Sequence, residues 1–90
     1  MCSVSIPAPL RGQTGGAGKV EVKGASVEEV LRELRGSYPA LVDRICEPDG
    51  AVRSSVNVYL NEVDIRHLDG VATRVRENDE IILVPAIAGG

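Results

Sequence analysis

The sequence predicts an α+β domain, a mixed β-sheet with one main helix packed across one face. Three observations carry that expectation. Val, Ile and Leu supply 26 of the 90 residues, and β-branched Val and Ile dominate the set, which favours sheet. Only one stretch, beginning at Ser26, combines a helix start signal with clear helical periodicity. Alternating or wholly apolar short runs lie on both sides of it, so strands bracket the helix.

Taken in order, Cys2-Ser-Val-Ser-Ile6 alternates apolar and polar residues, as a half-buried strand does, and Pro7 and Pro9 close it. Arg11 to Gly18 holds four glycines, a Gln and a Thr, and reads as a mobile turn. Lys19-Val-Glu-Val-Lys23 alternates again, with Val20 and Val22 on one face, completing a hairpin with a long connection. Ser26 with Glu29 forms a capping box, and Val27, Val30, Leu31 and Leu34 line one helix face at i, i+3, i+4 and i+7. Gly36 supplies a residue suited to the left-handed end of that helix. A second short helix is expected from Pro39, with Leu41, Val42 and Ile45 facing inward, before the turn Glu47-Pro48-Asp49-Gly50.

In the second half, Val56, Val58 and Leu60 form one face of a strand, and Asn57, Tyr59 and Asn61 the other. Val63 to Arg66 is expected to add a short strand through an Asn61-Glu62 turn, and His67 to Arg76 is less regular. A polar turn, Glu77-Asn78-Asp79-Glu80, leads to Ile81-Ile-Leu-Val84, apolar on both faces as a central strand is. The alternation alone does not decide which of those four point outward. Pro85 ends the strand. Strand, strand, helix, irregular region, strand, strand is the order of a β-grasp (ubiquitin-like) domain over 1–85, followed by a flexible tail over 86–90.

Several function classes are disfavoured. The net charge is −3, with Lys and Arg scattered, so the basic stripe that nucleic acid or an anionic membrane surface requires is absent. No apolar run approaches the roughly 20 residues that span a bilayer. No signal stretch precedes Pro7, so the cytoplasm is the expected compartment. Cys2 and Cys46 match neither a redox pair nor a zinc pattern and read as small buried residues. Gly12 to Lys19 looks superficially like a phosphate loop. Gln13 stands where the first glycine would have to be, and Val20 follows Lys19 where Ser or Thr is required. His67 is the only histidine, and no catalytic or metal set forms around it, although Asp64 and Asp69 flank it. Glu28, Glu29 and Glu33 read as the solvated helix face. No catalytic residue, bound cofactor or metal is expected.

With these elements in place, the chain resembles the MoaD/ThiS-type ubiquitin-like sulfur carriers, and within them most resembles the CysO branch. The resemblance rests on Val4-Ser-Ile-Pro7, Leu10-Arg11, Thr14-Gly-Gly16, Val56-Asn-Val-Tyr-Leu-Asn61, Asp64-Ile-Arg66, Asn78-Asp79 and the ending Pro85-Ala-Ile-Ala-Gly-Gly90. It implies a protein co-substrate rather than an enzyme. A ubiquitin-activating-type enzyme would use ATP to adenylate the carboxylate of Gly90, and a sulfur donor would displace AMP to leave a thiocarboxylate. An acceptor, such as a cysteine synthase or another sulfur-incorporating synthase, would take the sulfur, and in the CysO branch a metallopeptidase acts afterwards. A small subunit of a molybdopterin synthase and a protein modifier joined to lysines are the alternatives.

The tail suits that chemistry. Gly89 and Gly90 have no side chains and fold freely, so they can thread a narrow channel. Ala88 and Ala86 keep the tail thin, and Ile87 offers one apolar anchor. Docking of a partner is expected on the outward residues of the tail-bearing strand and its neighbours, with Tyr59 and Pro85 as candidates. Tyr59 has a second reading, as filler of a small core on the far side of the sheet.

Overall fold

The computed structural model describes residues 1–85 and has the expected architecture. Five strands form one mixed sheet: β1 (Cys2–Ser5), β2 (Lys19–Val22), β3 (Val56–Leu60), β4 (Val63–Asp64) and β5 (Glu80–Pro85), in spatial order β2-β1-β5-β3-β4. β1 and β5 run parallel at the centre, and every other pairing is antiparallel. Two helices, α1 (Val27–Ser37) and α2 (Pro39–Ile45), connect β2 to β3.

Helix α1 starts where its cap dictates. Ser26 Oγ accepts from Glu29 N–H at 3.2 Å, while Glu29 Oε1 reaches back to Ala25 N–H at 3.3 Å, one residue beyond the usual box. Val27, Val30, Leu31 and Leu34 are all buried, so the stripe read from the sequence is the face laid on the sheet. The approach is close at Gly24, where a Cβ would stand 2.6 Å from Val30 Cγ2 and 2.8 Å from Val30 N. The helix does not end at Gly36. It continues to Ser37, because the stop comes from Pro39, which drives Tyr38 out of helical geometry (ψ 69°). Tyr38 N–H then closes the last turn on Leu34 O at 2.7 Å.

The glycine-rich segment is ordered rather than a mobile turn. Ala8–Thr14 forms a 3₁₀ helix with Leu10 and Thr14 buried. Thr14 Oγ1 lies 2.8 Å from Ala17 O and 3.1 Å from Arg11 O, which ties the loop to itself. Beyond β3, the expected strand from Val63 shortens to Val63–Asp64, and Ile65–His67 turns as 3₁₀ with Asp64 as its cap. The Asn61-Glu62 turn holds, with Asn61 in the left-handed region at φ 58°.

The core lies between the sheet and the helices. Val4, Ile6, Ile45, Ile81 and Leu83 lie at its centre together with the stripe of α1. Each such side chain removed from water contributes about 1.5–3 kcal/mol. No helix is long and apolar enough to cross a membrane among the described residues.

Candidate docking face beside the tail-bearing strand

Strand β5 carries the residues that precede the tail, and its register decides what it shows. Ile81 and Leu83 sit on the helix side, 0% and 2% exposed. Ile82 and Val84 therefore point to the other face, and Val84 is 39% exposed. Across the ladder Ile82 lies opposite Tyr59 and Val84 opposite Asn57, while Ser5 of β1 flanks Ile82 on the parallel side. Tyr59, Ile82 and Val84 thus form an apolar strip along the middle of the sheet's outer face. Tyr59 is half-buried and belongs neither to the buried cluster nor to the half-buried side chains packed on it. Pro85 lies opposite buried Val56, on the helix side of the ladder, and is half-buried.

Polar groups border the strip on both flanks. On the β1–β2 side, Lys19 Nζ pairs with Glu80 Oε2 at 3.4 Å. On the β4 side, Arg66 folds back over the sheet. Its Nε donates to Asp64 Oδ1 at 3.3 Å, and its Nη2 donates to Asp64 Oδ2 at 3.1 Å and also to Asn57 Oδ1. Asp64 Oδ1 additionally accepts Arg66 N–H at 2.8 Å. These hydrogen bonds, the side-chain ones first, hold the Asp64 carboxyl below the usual carboxylate range and raise Arg66 in turn.

Neither cysteine lies on this face. Cys2 and Cys46 are buried free thiols, and burial pushes both up from the ordinary thiol value. Among the described residues no group of three or more His, Cys, Asp or Glu is arranged to hold a metal ion. Ile87, Ala88, Gly89 and Gly90, the residues read as the reacting tail, lie outside the described residues. Ile82, Asn57 and Arg66 did not emerge as site residues from sequence. The available signal was Asp64-Ile-Arg66 itself, a cap and a guanidinium two residues apart next to a strand edge.

Comparison with known proteins identifies the family. The ThiS family model matches residues 4–90. The sulfur carrier protein CysO of Mycobacterium tuberculosis is 36% identical over 90 residues, covering 98% of this chain and 97% of its own. Small archaeal modifier protein 3 of Haloferax volcanii is 42% identical over 66 residues, 73% of this chain and 71% of its own. The CysO of the Amycolatopsis orientalis BexX/CysO complex superposes with a TM-score of 0.92 at 34% identity, with all of both chains covered. Matched from its first strand to its last residue, the chain belongs to the ThiS family of ubiquitin-like sulfur carriers.

Proposed function

We propose that the chain is a protein co-substrate whose reagent is the Gly90 carboxylate, carried on a 86–90 tail beyond a 1–85 β-grasp domain. The observation that carries this is the Gly89-Gly90 pair, four and five residues past Pro85 of the central strand. A carboxylate is a poor electrophile. Attack of its oxygen on the α-phosphate of ATP releases pyrophosphate and leaves an acyl adenylate. A sulfide-level donor then adds to the acyl carbon and AMP departs, which leaves the thiocarboxylate.

The fold explains how an enzyme reaches that group. Five residues span at most about 18 Å fully extended. An activating enzyme that draws Gly90 into its nucleotide site therefore abuts the sheet near Val84. The Tyr59, Ile82 and Val84 strip is the surface we assign to that contact, with Pro85 at its margin and Ile87, Ala88 and Gly89 in the channel. ATP belongs to the enzyme, and the chain itself binds no cofactor in this scheme. The acceptor is a sulfur-incorporating synthase. Similarity to CysO favours a cysteine synthase acting on an activated serine, followed by a metallopeptidase. That another carrier of this fold forms a complex with a second protein, BexX, supports enzyme partners of this kind.

The test is intact-mass analysis after incubation with ATP, the activating enzyme of the same organism and a sulfur source. One oxygen exchanged for sulfur is expected on the full chain and none on a Gly90 deletion. A Gly90 deletion that still takes up sulfur overturns the reading.

A second reading has its own support, because the Haloferax volcanii relative is a modifier protein. The same acyl adenylate can be captured by a lysine amine. Gly-Gly remnants on lysines of other proteins, found by peptide mass spectrometry, would establish it.

A further inference from the structure

Arg66 lies over the β4 side of the outer sheet face, and it is held there from two elements. The fork of Nε and Nη2 is filled by the two oxygens of Asp64, and the second Nη2 proton goes to Asn57 Oδ1. Asn57 is the residue opposite Val84, so the guanidinium stands beside the tail-proximal end of the apolar strip. The side chains are 59% exposed for Arg66 and 15% for Asp64, so the carboxylate is shielded beneath its partner. Nη1 meets no acceptor among the described residues. The result is a planar donor with one flank engaged and the two Nη1 protons without an acceptor among the described residues.

We propose that Arg66 is a specificity-determining residue of the docking face, whose Nη1 donates to an uncharged oxygen, a main-chain or amide carbonyl, on the activating enzyme. The proposal rests on the sulfur-carrier reading above. The acceptor is uncharged because Asp64 already balances the guanidinium, and a second carboxylate at Nη1 would face the first. The charge pair also explains why a donor is kept on an otherwise apolar strip. An unpaired cation is costly to desolvate on docking, whereas a paired, pre-oriented one gives up little water and little side-chain freedom. Selectivity follows from the same geometry. A partner that places an apolar group at this position strands two donors, whereas the correct partner satisfies them.

The experiment measures KM and kcat for the full-length carrier in carrier-dependent ATP–pyrophosphate exchange by the activating enzyme of the same organism. Arg66→Ala should raise KM about tenfold with kcat within about twofold, the loss of one charge-assisted hydrogen bond at an interface. Arg66→Lys should fare nearly as badly, because an ammonium cannot fill the Asp64 fork and still present a fixed donor. Asn57→Ala, which removes one of the two anchors of the guanidinium and leaves the Asp64 fork, should raise KM by about threefold. Circular dichroism of Arg66→Lys and Asn57→Ala shows whether both remain folded. The ratio of variant to wild-type KM should hold steady between low and high salt, since the acceptor is uncharged. A ratio that collapses at high salt overturns the assignment of a neutral acceptor. Folded variants with wild-type KM overturn the role of Arg66 while leaving the carrier reading intact. Absence of exchange with the wild-type chain overturns both.

Discussion

Tyr59 and Ile82 lie directly opposite each other in the β3–β5 ladder, on the sheet face turned away from both helices. The pair is contributed by two strands whose other faces fill the core, Val58 and Leu83 being 2% exposed each. The outer pair is therefore held rigidly by packing it takes no part in. That separation lets the outer strip be altered without dismantling the fold.

Substituting this pair should show the separation directly. Tyr59→Ala and Ile82→Ala should each lower folding stability by about 1 kcal/mol or less, the scale of a cross-strand pair. The same variants should raise the carrier KM of the activating enzyme by about tenfold or more, as buried anchors at an interface do. Urea unfolding and exchange kinetics on the same samples measure the two effects. The double variant should be less than additive in KM, because the two side chains touch the same part of the partner.

The cysteines should be irrelevant to sulfur transfer, although sulfur is the cargo. Cys2 Sγ–H points to Val22 O at 3.4 Å, and both thiols are 3% exposed or less. Burial raises their pKa, so the thiolate that would attack a sulfur donor is scarce at neutral pH. Cys2→Ala and Cys46→Ala should both accept sulfur at full stoichiometry by intact mass. Labelling of native thiols by a maleimide should be slower than in denaturant by roughly 100-fold, since it requires opening of the core.

Much of this was legible in the sequence, and the misses share a cause. The strands beginning at Cys2 and Val56 and the two helices were readable because their signals are local: alternation, a cap, a stripe, a proline. The 3₁₀ segment Ala8–Thr14 was not, because it depends on burying Leu10 in a core built by distant elements and on Thr14 hydroxyl bonds to carbonyls of its own loop. Gly36 looked like a helix end by residue type, yet Pro39 sets the boundary through Tyr38. The proposed reacting tail, Ile87 to Gly90, rests on residue identity alone and lies outside the described residues. The apolar strip on the outer face was only half visible, because the outward members of Ile81 to Val84 depend on pairing with β1 and β3, which no short stretch encodes.

Gly24 makes the tightest glycine contact with the helix layer and should tolerate no side chain. A Cβ there would meet both the Val30 side chain at 2.6 Å and the Val30 backbone nitrogen at 2.8 Å. The side chain is fully buried and the nitrogen belongs to the first turns of α1, so neither can step aside freely. Gly24→Ala should destabilise the fold by about 1–3 kcal/mol, the usual cost of overpacking. Gly12→Ala is the control, since a Cβ at Gly12 meets nothing within 4 Å. Thermal unfolding of the two variants side by side measures the difference.

Protonation of Asp64 should loosen Arg66, and the direction of the effect is fixed by the direction of the shift. The Asp64 carboxyl is held below its ordinary value by the Arg66 side chain and, second, by Arg66 N–H. A depressed folded-state pKa means that the ionised form is favoured by folding. Its contribution is present at every pH above the unfolded-state value and is lost as pH falls through the folded-state value. Carboxyl NMR should place the Asp64 titration below the ordinary aspartate range, and Arg66→Ala should bring it back up. Asp64→Asn should lack this part of the acid dependence of stability. At neutral pH the same variant should raise the carrier KM, because the guanidinium loses the carboxylate that fixes its plane. An Asp64 that titrates at the ordinary value in the wild-type chain would mean that the Arg66 fork is not held in solution.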